Sequence, residues 1–442
     1  AGADFDFPPS RLTWQTGHMS MSNLLSRYGV WLGFALVLLV APWLFTSNLS
    51  QTMLSQMGIA IIACLSYNLL LGQGGMLSFG HAVYSGMGSY LAIHSLNAIG
   101  QGTLHLPVVV LPLVGGLAGM GFAILLGYVT TKKSGTTFSM ITLGMAELVF
   151  AMSLMFSEFF GGEAGVSANR VVGEAFMGIT FGPQRQVYYL IAFYTFVSVA
   201  LLYALTQTPL GRTLNAVRDN PERVEFVGYN TQQVRYRAFI IAGFFAGIAG
   251  GLGAINFEIV TAEVVGPSRS GSYLLFTFLG GATVFFGPIL GGILMVLAFV
   301  LLSEITKAWL LYLGLVFLFM VVYAPGGLAG LIMMNLRIAK IGALKRLLPS
   351  YAGLAVAMAL MLAGAGALVE MIYHLQLDAA NGPELPFAGW VLHTDSATTW
   401  GVSVALLAIG LLVFETVRRR FALIWGEIQT DMAAAQQAKE AT

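Results

Sequence analysis

The chain has 442 residues, of which 57% are hydrophobic and only 9% carry a formal charge. A mean hydropathy of +0.80 excludes a soluble domain, which would aggregate through so much exposed apolar surface. The net charge of +1 gives no indication of a nucleic-acid partner. The composition predicts an all-α, polytopic membrane bundle, because helices satisfy their own backbone hydrogen bonds in lipid.

The N-terminal segment 1–20 differs from the rest of the chain, because it is polar and contains adjacent prolines. It ends in the sequence GHMS, which looks like a cloning junction. We interpret residues 1–20 as a candidate tag, linker or disordered N-terminus. The apolar run after Arg27 predicts the first retained membrane helix.

Apolar runs between charge clusters predict about 10–12 membrane segments, since each helical crossing needs about 20 apolar residues. The predicted segments are 29–46, 52–71, 79–99, 107–130, 136–157, 187–206, 238–257, 273–286, 289–304, 309–324, 351–374 and 398–417. If both termini are cytoplasmic, the positive-inside rule is satisfied by all basic residues except four. The exceptions are Arg170, Arg185, Arg269 and Lys307.

Two apolar regions are interrupted by glycines, NLLLGQGGMLSFGHA (68–82) and FLGGATVFFGPILGG (278–292). Irregular backbone at membrane depth persists only where protein or a wet cavity surrounds it. These regions therefore predict two broken or re-entrant segments that line or gate a pathway. The alternative is that the glycines only let helices approach closely, as the four-residue spacing of Gly243, Gly247 and Gly251 also predicts.

The last part of the chain reads as a separate unit. After the Pro-Gly-Gly at 325–327 the chain turns basic as far as Leu348, and two further apolar segments follow. We predict a main membrane domain over residues 21–348. Residues 349–442 are predicted to form an appended two-helix membrane hairpin with a cytoplasmic C-terminal tail.

Motifs for catalysis are missing from the sequence. It contains no GxxxxGK[ST] phosphate loop, no HExxH, no CxxC and no GxSxG. We therefore expect no catalytic residue and no metal site in this chain. Glu147 is the one acid predicted near mid-membrane, where a carboxylate indicates either a functional site or a hydrogen bond to a neighbouring helix.

The stretch NAVRDNPERVEFVGYN (215–230) carries an unusual density of charge for this chain. Asn220 is a good N-cap, Pro221 suits the first helical position and Gly228 is a natural stop. They predict a helix of about two turns, which is too short to be stable without a partner surface. The alternative is a solvated turn whose arginines only set the topology.

Four motifs occur in a characteristic order along the chain. They are NLLLGQGGMLSFGHAVYSGMGSYLA (68–92), TFSMITLGMAELV (137–149) with GGEAGVS (161–167), GRTLNAVRDNPERVEFVGYN (211–230), and LGGATVFFGPILGG (279–292) with YAPGGLAGL (323–331). Together they resemble the LivM-type permease subunits of bacterial branched-chain amino acid ABC transporters. The resemblance covers roughly residues 52–335.

The resemblance implies a subunit of the bacterial inner membrane that works in a complex. The expected partners are a second homologous permease of the LivH type, two ATPase subunits, a periplasmic substrate-binding protein and the lipid membrane, with no nucleic acid. ATP and Mg²⁺ would bind to the ATPase subunits, so no cofactor is expected in this chain.

The resemblance also implies two sets of site residues. Coupling to the ATPase is assigned to the short loop helix, with Arg218, Asp219, Asn220, Glu222, Phe226 and Gly228. Lining or gating of the translocation path is assigned to Gln73, Ser78, His81, Glu147, Gly280 and Gly281. The chain departs from the usual coupling pattern at Arg223 and Val224, where many ABC importers have two alanines.

The predicted function is that of a permease forming half of the pathway for branched-chain or related amino acids. One alternative is an ion-coupled secondary transporter of a small polar solute, in which Glu147 and His81 carry protons through the broken helices. A second alternative is a membrane scaffold that transports nothing.

Overall fold

The chain folds into a bundle that is almost entirely α-helical. The structure is a computed structural model, and it describes residues 21–172, 178, 180–340, 342, 344–377, 382–387 and 390–440. The tag or linker predicted for residues 1–20 lies outside these residues. The helices are α1 (Met21–Leu44), α2 (Asn48–Asn68), α3 (His81–Gly100), α4 (Leu111–Thr130), α5 (Gly135–Met155), α6 (Ser157–Phe160), α7 (Gln184–Gln207), α8 (Pro209–Asp219), α9 (Pro221–Phe226), α10 (Thr231–Phe257), α11 (Pro267–Gly280), α12 (Gly287–Leu297), α13 (Ser303–Ile305), α14 (Trp309–Tyr323), α15 (Gly327–Lys340), α16 (Leu344–Leu377) and α17 (Ala397–Glu440).

Short strands form two antiparallel pairs outside the helices. The first pair joins β1 (Val166–Ser167) to β2 (Ile259–Val260), with Val166 opposite Val260. The second joins β3 (Glu384–Phe387) to β4 (Trp390–His393), with Glu384 opposite His393. The second pair occupies the connection between α16 and α17.

The predicted polytopic helical bundle is confirmed. Within the described ranges, eight helices are long and apolar enough to cross a membrane, and the number becomes nine if α14 and α15, which meet at a bend of 46°, form one span. The remaining predicted segments overlap further helices, namely Gly29–Leu44 of α1, α3 and α11.

The bundle is built around α10, which packs against α4, α3 and α2. The contact between α10 and α4 is a face of glycines. A Cβ atom placed on Gly247 would collide with the carbonyl oxygen of Gly115, and one placed on Gly119 would collide with that of Gly243. The prediction of close helix approach at Gly243, Gly247 and Gly251 is confirmed, and it follows the use of small residues in lipid, where packing replaces the hydrophobic effect.

The C-terminal helices α16 and α17 pack along each other. The hydroxyl of Tyr312 on α14 donates a hydrogen bond to the carbonyl oxygen of Gly366 at 3.3 Å, which joins the pair to the main bundle. Helix α16 begins at Leu344 and continues through Pro349. The division of the chain at residue 348 stays a prediction.

One predicted segment, 273–286, was wrong in its bounds. The helix α11 occupies Pro267–Gly280 and ends there, because Gly281 adopts φ +114°. This backbone conformation is open to glycine and strained for residues that carry a Cβ atom. The following residues, 281–286, are non-helical and connect α11 to α12.

The glycine face of α4 provides a matched pair of substitutions. Gly119 faces α10, whereas a Cβ atom on Gly121 would meet open space. We expect Gly119→Ala to lower the free energy of unfolding by about 1–3 kcal/mol through overpacking. We expect Gly121→Ala to change it by less than about 1 kcal/mol, in the stabilising direction. Thermal unfolding of the purified protein in detergent measures both, and equal midpoints would contradict the role of this face.

Candidate functional site

Two short helices, α8 and α9, occupy the polar stretch between α7 and α10. Thr208 caps the N-terminus of α8, since its hydroxyl accepts a hydrogen bond from the Gly211 amide at 3.3 Å. Asn220 caps α9 in the same way, accepting from the Arg223 amide at 3.1 Å. Gly228 has φ +93° and follows the end of α9. The short helix predicted from the sequence, its cap and its stop are confirmed.

Helix α9 is attached on one side and open on the other. Val224 is buried against the bundle with 7% of its surface exposed, whereas Phe226 is 90% exposed. Glu222 is exposed as well. A phenylalanine so exposed, next to Val227 and among charges, has the character of an interface residue, because aromatic side chains dominate the energetics of interfaces.

Arg218 connects α8 to the first broken segment. Its Nη1 atom donates a hydrogen bond to the carbonyl oxygen of Gly72, and its Nε atom donates to Asp219 at 2.9 Å. Gly75, with φ +64°, leaves room for the aliphatic part of the arginine, because a Cβ atom there would lie 2.8 Å from Arg218 Cγ. One predicted coupling residue, Arg218, thus contacts the predicted pathway element directly, and a second, Asp219, is bonded to Arg218.

The two broken segments lie against each other. After α2 the chain continues as one π-helical turn, Leu69–Gln73, and residues 75–78 are non-helical before α3 begins at His81. Gly72 packs against the carbonyl oxygen of Ala282, in the turn that follows α11. Gly280 and Gly281 in turn pack against the backbone of Gly287 and Gly326. The structure therefore brings the breaks at 68–82 and 278–292 together.

His81 and Ser78 are fully buried beneath the first break. The Nε2 atom of His81 lies 2.9 Å from the Ser66 hydroxyl oxygen, and Tyr67 donates to the carbonyl oxygen of Ser78 at 2.9 Å. Among the residues that the structure describes, His81 Nδ1, Ser78 Oγ and Asn68 Oδ1 have no hydrogen-bond partner. These side chains form a buried polar cluster within the chain, with capacity for further hydrogen bonds.

Gln73 lies at the end of the π-helical turn and is partly buried. It borders a void of about 10 Å³ together with Thr206 and Phe285. The void is too small for a solute, since one water needs about as much space. Gln73 therefore lies where α7 and the second break contact the first break.

Helix α5 buries only one narrow stripe of its surface. Its buried residues are Phe138, Ser139, Thr142, Ala146 and Ser153. Two of these hold the first break, since Ser139 donates to the Leu77 carbonyl at 2.7 Å and Thr142 accepts from the Phe79 amide at 3.1 Å. The opposite face is open.

Glu147 lies on the open face of α5 and is exposed. In the part of the chain that the structure describes, its carboxylate has no hydrogen bond or ion pair with another residue. The alternative that Glu147 bonds a neighbouring helix of the same chain is thus not supported. A carboxylate in the middle of a membrane helix costs about 2.5–3.5 kcal/mol on insertion scales, so this face needs a polar environment.

Sequence reasoning missed α8 and the hydrogen bonds that hold the first break. A signal for α8 was present, because Thr208 followed by Pro209 is a typical helix start. Ser139 and Thr142 gave a weaker signal as small polar residues on one face of an apolar helix.

Comparison with known proteins identifies this architecture. Residues 49–325, more than half of the chain, match the family described as "Branched-chain amino acid transport system / permease component". The chain belongs to this permease family. The resemblance inferred from the four motifs is confirmed, and the permease is a multi-pass inner-membrane subunit of an ABC importer.

The permease is similar to several transport proteins. It is 28% identical over 318 residues to the high-affinity branched-chain amino acid transport system permease protein LivM of Escherichia coli K12, covering 66% of this chain and 73% of that protein. It is 25% identical over 216 residues to the probable branched-chain amino acid transport permease protein LivH of Methanocaldococcus jannaschii, covering 49% and 68%. It is 27% identical over 177 residues to the fructose import permease protein FrcC of Rhizobium meliloti, covering 35% and 48%. No solved structure matches the permease significantly.

The hydrogen bond between Arg218 and Gly72 provides a test of the contact between α8 and the first break. We expect Arg218→Gln to increase proteolysis or hydrogen exchange in residues 69–80, because the Gly72 carbonyl loses a charged donor worth about 1.5–3 kcal/mol. Arg212 lies exposed on the same helix, so Arg212→Gln is the matched control. Hydrogen-exchange mass spectrometry in detergent measures the difference, and identical exchange in both variants would show that the contact does not stabilise the break.

Proposed function

We propose that this permease forms half of the translocation pathway of an ATP-driven importer for branched-chain or related amino acids, and that α9 couples it to a cytoplasmic ATPase. The observation that carries the proposal is the chain of contacts from α9 to the breaks. An exposed, capped helix follows α8, and α8 is bonded through Arg218 to Gly72.

The side of the membrane on which α8 and α9 lie follows from charge. The stretch from α8 to the start of α10 carries Arg212, Arg218, Arg223, Arg235 and Arg237, and such basic segments remain cytoplasmic. Both termini are then cytoplasmic as well. In this orientation Phe226 is exposed to the cytoplasm, where ATP is present.

Movement of α9 by the ATPase would act on the breaks in three steps. The helix moves as a unit because Asn220 caps its first turn, and the buried Val224 attaches it to the bundle. α8 follows, and Arg218 transfers the displacement to the Gly72 carbonyl. Since Gly72 packs against Ala282, the second break then shifts together with the first. Bistable contacts of this kind amplify small displacements into gating.

The open face of α5 is proposed to face the second permease across the route. Most of α5 is uncovered in the isolated chain, and Glu147 on that face requires polar surroundings. A wet route between two permeases supplies them. The similarity to both LivM and LivH proteins supports a second, homologous permease of the LivH type.

The rest of the complex follows from the same reasoning. Two ATPase subunits bind and hydrolyse ATP with Mg²⁺, and a periplasmic binding protein delivers the solute. The permease itself contributes no catalytic residue. Amino acids are favoured over sugars as the solute, because the similarity to LivM extends over more of the chain than the similarity to FrcC.

The exposed phenylalanine of α9 tests the coupling. We expect Phe226→Ala to reduce solute uptake by at least about tenfold, since losing a central interface aromatic typically costs 2 kcal/mol or more. Phe193→Ala is the matched control, because Phe193 is also exposed but lies on the membrane helix α7. Uptake and ATP hydrolysis are measured together in proteoliposomes that contain the whole transporter. Normal uptake in Phe226→Ala would contradict the docking role.

Glu147 tests the proposed route. We expect Glu147→Gln to assemble normally and to slow ATP-driven uptake by about tenfold, which corresponds to a barrier raised by about 1.4 kcal/mol. Glu158→Gln, an exposed acid on α6, is the control. Unchanged uptake would remove Glu147 from the route, and uptake driven by a proton gradient without ATP would favour the ion-coupled alternative.

A further inference from the structure

A cavity of about 170 Å³ lies between α2, α11 and α12. Its walls come from the middle of α2, the end of α10, the first half of α11 and the end of α12. Because the end of α10 is its far end from α9, the cavity lies in the half of the bundle remote from α8 and α9. Most of the wall is aliphatic or aromatic, as at Ile59, Met295 and Phe299. Its polar side chains are Gln56, Tyr273 and Arg269.

Arg269 brings a positive charge to this apolar surface. Its Nε atom donates to the Tyr273 hydroxyl at 3.3 Å, and its guanidinium carbon lies 5.6 Å from the centre of the Tyr273 ring. Glu263 acts on Arg269 only through space. In the described part of the chain no carboxylate forms an ion pair with Arg269. A guanidinium has five N–H donors, so most of its capacity is unused.

Contacts of Tyr273 and Ser270 hold the Arg269 guanidinium in position. Tyr273 is buried, and its hydroxyl also lies 3.4 Å from the Ser85 hydroxyl oxygen. One turn earlier, Ser270 accepts a hydrogen bond from the Ala82 amide at 2.9 Å, which fixes α11 to the start of α3. These contacts restrict the arginine to one region of the cavity. A fixed guanidinium binds a carboxylate well, because two parallel N–H groups match its two oxygens.

We propose that this cavity binds a small aliphatic amino acid through its carboxylate, with Arg269 as the carboxylate-binding residue. The aliphatic side chain of the ligand packs against Ile59, Val296 and Met295. The ammonium group of the ligand contacts Gln56 and the Tyr273 hydroxyl. The volume suits such a ligand, because drug-sized molecules need pockets of about 300–1,000 Å³. Binding here also neutralises an arginine that is otherwise costly at membrane depth.

The proposal rests on the proposed function, since it names the part of the solute that the permease recognises. With α8 and α9 cytoplasmic, the cavity lies in the half of the bundle that faces the periplasm. A solute released by the binding protein reaches this half first. Tyr273 also connects the cavity to the buried polar cluster, because its ring centre lies 6.3 Å from that of His81.

The test is binding of radiolabelled leucine to the complex of both permeases and both ATPases in lipid nanodiscs, without the binding protein. The competitors are leucinol, which lacks the carboxylate, and 4-methylpentanoate, which lacks the ammonium group. We expect leucinol not to compete and 4-methylpentanoate to compete more weakly than leucine. Arg269→Gln should weaken leucine binding at least tenfold, and Arg269→Lys should restore part of it.

Arg185→Gln is the matched control, because Arg185 lies over the Trp43 ring at 4.0 Å and outside the cavity. If Arg269→Gln does not assemble, Ala60→Leu fills the cavity while keeping the arginine, and it should also abolish binding. Thermal unfolding and size exclusion check assembly of each variant.

Several outcomes would overturn the proposal. They are equal competition by leucinol, competition by sodium chloride as strong as by leucine, and unchanged leucine binding in Arg269→Gln or in assembled Ala60→Leu. Each leaves the proposed function intact if the wild-type transporter still takes up leucine with ATP. Failure of wild-type uptake for every branched-chain amino acid would instead contradict the proposed function.

Discussion

The rest of the structure depends on the satisfaction of backbone groups at the two helix breaks. Lipid offers no hydrogen bonds, so each peptide group released from a helix needs a partner within the protein. At the first break the partners are side chains from three other helices. Thr142 of α5 accepts from Phe79, Ser270 of α11 accepts from Ala82, and Arg218 of α8 donates to Gly72.

These hydrogen bonds also connect elements that are distant in the sequence. The helices α5, α8 and α11 are each joined to the first break, residues 68–82. A displacement of any one of them therefore reaches the break without passing through loosely packed side chains. The close contact of Gly72 with the carbonyl oxygen of Ala282 extends the connection to the second break. Both groups in this contact belong to the backbone, so no flexible side chain absorbs the displacement. Interiors packed this tightly respond by switching between discrete arrangements.

Polar groups in the bundle fall into two kinds. His81, Ser78 and Tyr67 are buried inside one chain. His81 Nε2 is hydrogen-bonded to Ser66, and the Tyr67 hydroxyl donates to the Ser78 carbonyl oxygen, which stabilises the region beneath the break. In the described part of the chain, neither Glu147 nor Arg269 forms an ion pair. Glu147 lies on the open face of α5, and Arg269 lines a cavity. Unpaired charges are costly in a membrane. We therefore assign Glu147 to the face toward the second subunit and Arg269 to the solute.

Much of the fold could be predicted from the sequence, because hydropathy and helix signals are local. Runs of apolar residues located the membrane helices, and Asn220, Pro221 and Gly228 located α9 with its cap and its stop. The four-residue spacing of Gly243, Gly247 and Gly251 predicted a close helix contact, although the partner helix α4 was known only from the structure. The motifs also led to the family, since their order along the chain is a property of the sequence.

The tertiary structure alone decided which residues meet. No local pattern pairs Arg218 with Gly72 or places Arg269 beside a cavity, since these residues are brought together by helices that pack from distant parts of the chain. Burial likewise depends on neighbours, so His81 and Glu147 were equal candidates for the pathway until one was found sealed and the other exposed. The sequence determined the helices, their caps and the side chains available for chemistry. Their contacts came from packing, because contact is a property of three-dimensional proximity and not of spacing along the chain.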